Sequence, residues 1–119
     1  EMTSSLVGSE MCIRDSFKAI GEQFGEVDLA IMENGQYDQD WKYIHMMPEE
    51  TAQAADDIHA RAVLPGHAGR FVLAKHTWDD PYKRLAEAST GRPWRLLTPM
   101  LGEPVWVADK TQSFNAWWR

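Results

Sequence analysis

The chain has 119 residues, with 12 lysines and arginines against 18 aspartates and glutamates, a formal net charge of −6. That balance, with no basic patch, excludes an electrostatic case for nucleic-acid binding. The absence of any run of 18 or more apolar residues excludes a transmembrane helix within this piece. A single cysteine, Cys12, leaves no internal disulfide and no multi-cysteine metal site.

Taken in order, Glu1 to Ser16 reads poorly as protein. Codon by codon it resembles the translation of a transposase-type sequencing adapter, so the expectation is a non-native segment at 1–16 and one domain at 17–119 whose upstream part is missing. Removing Glu1, Glu10, Asp15 and Arg14 leaves 15 acids and 11 bases, a net charge of −4, and also removes the only cysteine. Six tryptophans in about 100 remaining residues demand more apolar partner surface than a small core supplies, so some are expected to pack on absent sequence.

Phe17, Ile20, Gly21 and Phe24 fall at helical spacing before Gly25, a natural residue to follow a helix end. Val27–Met32 is a mostly apolar run of strand length. Asn34-Gly35 signals a turn, and Glu33–Met46 reads as a long polar and aromatic loop. Pro48-Glu49-Glu50 opens a helix that carries Ala52, Ala55 and Ile58 on one stripe, with His59 at its end in a capping or surface role. Ala62-Val63-Leu64 is a buried strand stopped by Pro65-Gly66, which places His67 just past a strand's carboxyl end. Sites of open α/β sheets are built at that edge, and histidine is the commonest metal ligand, although a lone histidine also serves as a hydrogen-bonded structural residue.

Phe71–Ala74 reads as a turn of buried helix closing over that strand end. Asp79-Asp80-Pro81 caps a helix over Tyr82–Ser89, a better use of the two aspartates than metal ligation. Trp94–Leu97 and Val105–Val107 are candidate strands of an edge hairpin or of two separate edges. No repeat, low-complexity block or linker interrupts the chain, and the pattern is α/β.

Three blocks together carry a resemblance: the aromatic loop from Tyr37 ending in His45-Met46-Met47-Pro48-Glu49-Glu50, then Leu64-Pro65-Gly66-His67-Ala68-Gly69-Arg70-Phe71, then His76-Thr77-Trp78-Asp79-Asp80-Pro81 with Arg84-Leu85. In order and spacing they resemble the C-terminal third of metallo-β-lactamase-fold hydrolases, nearest to the branch of N-acyl-phosphatidylethanolamine-hydrolysing phospholipase D. The resemblance implies the C-terminal, incomplete part of an αββα sandwich and, in the full-length parent, a two-metal zinc site. It implies His67 as the metal ligand and His45 as the catalytic histidine, with His76, Tyr37 and Trp41 touching substrate or supporting the site from behind. Ala68 and Arg70 depart from the Trp and Thr frequent in relatives and alter the pocket wall.

The function so implied is hydrolysis of a phosphodiester by a metal-activated water, with a small-molecule or lipid substrate and room for peripheral membrane contact, in the cytoplasm or at a membrane periphery. With one matched ligand, this piece alone is expected to be inactive and to bind zinc no better than a surface histidine does. The alternatives are a lactonase or other hydrolase of the same fold, because the fold does not set the substrate, and a non-catalytic aromatic-rich α/β binding module.

Overall fold

In the computed structural model, which describes residues 10–41, 44–69 and 71–119, helices and strands alternate along the chain. The order is α1 (Glu10–Phe24), β1 (Ala30–Glu33), a 3-10 turn (Gln39–Trp41), α2 (Pro48–Asp57), β2 (Ala62–Gly66), α3 (Asp80–Ala88) and β3 (Arg95–Leu96). β2 lies between β1 and β3, and both pairings are parallel. Parallel neighbours require a crossover, which α2 and α3 provide. This is the α/β arrangement that the sequence predicts. None of the helices is long and apolar enough to cross a membrane among the described residues.

The core follows from strand alternation. Ala30 and Met32 point to the helix side and are buried, whereas Ile31 between them is 69% exposed. Val63, paired with Ala30, joins the buried side together with Ala52, Ala54 and Ala55 of α2, Leu85 of α3 and Trp94. The small alanines let α2 settle closely on the sheet, and α1 and α3 both pack against α2. The other face, where Ile31 is paired with Leu64, is open at β1.

The helix ends obey local chemistry. Gly25, at φ +73°, donates its N–H to Gly21 O and ends α1, as its position predicts. Pro48 opens α2, and the Glu50 carboxylate accepts the Met47 N–H at 2.9 Å. His59, at φ +58°, lies in the turn after α2, and its carbonyl accepts the Val27 N–H.

Four features differ from the sequence reading. Helix α1 starts at Glu10 rather than Phe17, since nothing between Glu10 and Ser16 is a Gly or Pro that would stop helix propagation. Residues 1–9 of the adapter-like segment lie outside the described residues. Phe71–Ala74 is not a buried helical turn: Phe71 and Leu73 are 64% and 77% exposed, and the Gln36 side chain holds this segment's backbone. Asp79 occupies the N-cap of α3 without a side-chain cap bond, because its carboxylate pairs with Lys83 at 2.6 Å. Finally, β3 is a parallel edge strand and Val105–Val107 is irregular, the Trp106 N–H being taken by the Gln112 side chain rather than a neighbouring strand.

Gly21 sets how closely α1 approaches α2. A Cβ there would lie 2.1 Å from the Asp57 carbonyl oxygen, so Gly21→Ala must push the helices apart and is expected to cost about 1–3 kcal/mol. Ile31→Ser on the open face should stay within about 0.5 kcal/mol. Urea unfolding of the two variants and the parent chain compares them directly, and equal midpoints for Gly21→Ala and the parent would refute the close contact.

Candidate metal centre

The register of β1 and β2 ends on Glu33 beside Gly66, and one more ladder bond follows as the Asn34 N–H donates to Gly66 O at 2.9 Å. The two strands therefore stop together, and the chain turns away from both at one place. Glu33 shares a face with Ile31, the open one. Gly35 then passes so close to the other turn that a Cβ would lie 2.3 Å from His67 O and 3.0 Å from the Ala68 Cβ. Only glycine allows that approach. His67 itself has φ +61°, a left-handed conformation that a non-glycine residue adopts at a cost and that concentrates at functional sites.

His45 completes the group. Its ring stacks on His67 with centroids 5.1 Å apart and 24° between planes, and Trp41 meets it edge-on at 5.9 Å. His45 Nδ1 lies 3.0 Å from Glu33 Oε2, and the Met46 N–H donates to Glu33 Oε1 at 2.8 Å. One ligating atom from each of Glu33, His45 and His67 falls within 4.8 Å of the others. Two imidazoles and a carboxylate form a donor set that suits a divalent ion such as zinc. In chemistry the residues therefore fit the metal implied by the resemblance, with Glu33 and His45 beside the one residue, His67, that the resemblance singles out as ligand.

His76 stands apart from this group. The Gln36 N–H donates to His76 Nε2 at 3.0 Å, and His76 Nδ1 donates to the Thr77 carbonyl at 2.8 Å. Both ring nitrogens are thereby engaged with backbone, and the ring stacks on Tyr37 at 4.3 Å. Tyr37 is buried, its hydroxyl donates to Asp80, and the Arg84 guanidinium lies 5.0 Å above its ring. Burial and then the Asp80 carboxylate push the Tyr37 hydroxyl well above the usual phenol range. Arg84 also clamps Glu49, which raises the guanidinium further. His76 and Tyr37 thus support the loop from beneath, while Trp41 contributes directly to the wall beside His45.

Two residues that sequence reasoning passed over organise the site. Gln36, at φ +58°, pins the 71–74 segment by donating from Nε2 to Phe71 O at 2.7 Å and accepting the Leu73 and Ala74 N–H groups on Oε1. Glu33 is the first residue of the loop that the sequence predicts. The available signal was its place at the end of an apolar strand directly before Asn34-Gly35. Arg70, one of the two departures at the pocket wall, lies outside the described residues.

Residues 12–68 match a family described as a beta-lactamase superfamily domain. Over 54 residues the chain is 89% identical to "Outer membrane protein RomA" of Klebsiella pneumoniae, an alignment covering 45% of this chain and 41% of that protein. It is 33% identical over 117 residues to an uncharacterized protein of Mycobacterium tuberculosis, covering 94% of this chain and 31% of the relative. It is 37% identical over 108 residues to the mitochondrial N-acyl-phosphatidylethanolamine-hydrolyzing phospholipase D of Saccharomyces cerevisiae, covering 87% of this chain and 22% of that protein. The chain thus spans less than half the length of each of these relatives. The parallel sheet with its helices is consistent with part of a metallo-β-lactamase fold, and residues 12–68 are similar to a domain of the beta-lactamase superfamily.

The Tyr37 hydroxyl yields a prediction with a definite sign. Tyr37→Phe should cost about 1–2 kcal/mol at neutral pH by removing a buried hydrogen bond to Asp80. Because the folded state raises the Tyr37 pKa above its ordinary 10.0, this contribution is complete below that pH and is lost as pH rises above it. Stability measured by urea titration between about pH 8 and pH 11 should therefore fall more steeply for the parent chain than for Tyr37→Phe. Parallel curves would show that the hydroxyl is not held as described.

Proposed function

We propose that the chain is the C-terminal part of a longer metal-dependent hydrolase that cleaves a phosphodiester of phospholipid type with a zinc-activated water, and that residues 17–119 form its domain portion, with 1–16 adapter-derived. The observation that carries this reading is the stacking of His45 on His67 beside Glu33, at the shared carboxyl end of two parallel strands. The superfamily match and the similarity to a phospholipase D support the reaction class.

When bound, a divalent metal pair supplies hydroxide at neutral pH and stabilises charge on a phosphoryl oxygen. His67 is the ligand that this chain contributes, presented by a backbone that the Gly35 contact holds in place. His45 lies beside it and acts as proton donor, acceptor or electrostatic partner to the phosphoryl group. Trp41 flanks His45 edge-on. The exposed Phe71 and Leu73, on the segment that follows the His67 turn, offer apolar surface to a lipid substrate.

Zinc content and phosphodiester hydrolysis, measured on the complete parent protein with and without His67→Ala, test this reading. The variant is expected to lose most metal at one position and at least about a hundredfold in rate, more than loss of a supporting partner brings. The 119-residue chain alone should be inactive. Unchanged metal and rate would make His67 structural, whereas lactone cleavage without phosphodiester cleavage would keep the metal site and replace the substrate class.

A further inference from the structure

Glu33 is the residue at the site whose task neither the family match nor the resemblance assigns. Both Glu33 oxygens are engaged by the 45–46 loop. Oε1 accepts the Met46 N–H at 2.8 Å, and Oε2 lies 3.0 Å from His45 Nδ1. Its main chain is held as well, since the Thr51 hydroxyl of α2 donates to Glu33 O at 2.8 Å and Thr51 is fully buried. The Glu33 backbone is therefore held by the strand it ends and by the helix that follows, and its carboxylate by the loop it supports. Glu33 and His45 are both partly buried, so water competes incompletely for this bond.

We infer that Glu33 is a positioning residue that holds His45 in the Nδ1–H tautomer, so that Nε2 carries the lone pair offered to the reacting group. A carboxylate can only accept hydrogen bonds, so Nδ1 must donate to it, and in a neutral ring the lone pair then belongs to Nε2. The Met46 N–H aims the carboxylate and prevents it from rotating away from His45. The same division of labour, a carboxylate orienting a histidine by its far nitrogen, fixes ring orientation at metal and acid–base sites generally. Nothing covalent changes in this step. It sets which nitrogen can take or give a proton and where that nitrogen stands beside His67.

The purpose assigned to the pair rests on the hydrolase reading, but its existence is testable without any activity. Nitrogen-15 NMR of the 119-residue chain, under conditions where the ring is neutral, reports the tautomer of His45. The expected result is a protonated, pyrrole-type Nδ1 and a pyridine-type Nε2. In Glu33→Gln the amide must set its NH2 group against either the Met46 N–H or His45, so the His45 signals should move toward the Nε2–H tautomer that free histidine prefers, while the His76 signals stay in place as an internal control. An Nε2–H ring in the parent chain overturns the inference, as does an unchanged Nδ1–H ring in Glu33→Gln. If that variant fails to fold, the parent spectrum still decides, and Glu33→Asp, which keeps the charge but shortens the reach, should give a mixture of tautomers. Absence of hydrolysis in the complete protein alongside the expected spectrum would count against the proposed function and leave the Glu33–His45 pair standing.

Discussion

Everything at the candidate site depends on the parallel register that sets Glu33 beside Gly66. In a parallel pair both strands leave the sheet at the same end, so the residues just past each end become neighbours although more than thirty positions separate them in sequence. A slip of one residue would turn Glu33 to the helix face and bring a side chain, rather than Gly35, against the His67 carbonyl. Gly35 is the consequence of that crossing: a Cβ there would lie 2.3 Å from the carbonyl oxygen of His67, whose own backbone is left-handed.

The loops around this crossing are held by polar pins more than by apolar packing. Gln36 binds three backbone groups of the 71–74 segment, while His76 accepts the Gln36 N–H and donates to Thr77. Tyr37, Asp80, Arg84 and Glu49 then link the loop to the starts of α3 and α2. Half-buried charged pairs of this kind contribute modestly one at a time, and their value lies in direction, since each fixes an angle that a methyl contact would leave free. A site made from loop residues needs such fixing, because chemistry tolerates little misplacement.

The fold was largely legible because its signals are local. Gly25 ends a helix, Pro48-Glu49-Glu50 begins one, Pro65-Gly66 closes a strand, and apolar runs of strand length alternate with helices. The place of His67 just past a strand end was legible from Pro65-Gly66, whereas a ligand role for it follows only from the family resemblance. What escaped was set at a distance. Glu33 read as loop because neither its partner His45 nor its pairing with Gly66 is adjacent in sequence. Phe71–Ala74 has helical composition, but its amides and carbonyls go to Gln36, and a side chain some 35 positions away leaves no periodicity to read. Val105–Val107 has strand composition without a partner strand, and composition cannot supply one. His76 carried the residue type of a ligand and is a backbone pin, a distinction that only its two hydrogen bonds make.

The face that carries Glu33 is also the face on which Ile31 stands exposed, and this joins packing to chemistry. Any layer that buried Ile31 and Leu64 would also bound Glu33 and the neighbouring histidine pair. In water a 3.0 Å bond between imidazole and carboxylate is weakly directing, because solvent offers both groups equivalent partners. With water excluded the same bond strengthens and the cost of misalignment rises. Covering the apolar face and activating the site are on this view one event. The chain supplies the stacked histidine pair and the carboxylate beside it, on a face that is open at Ile31.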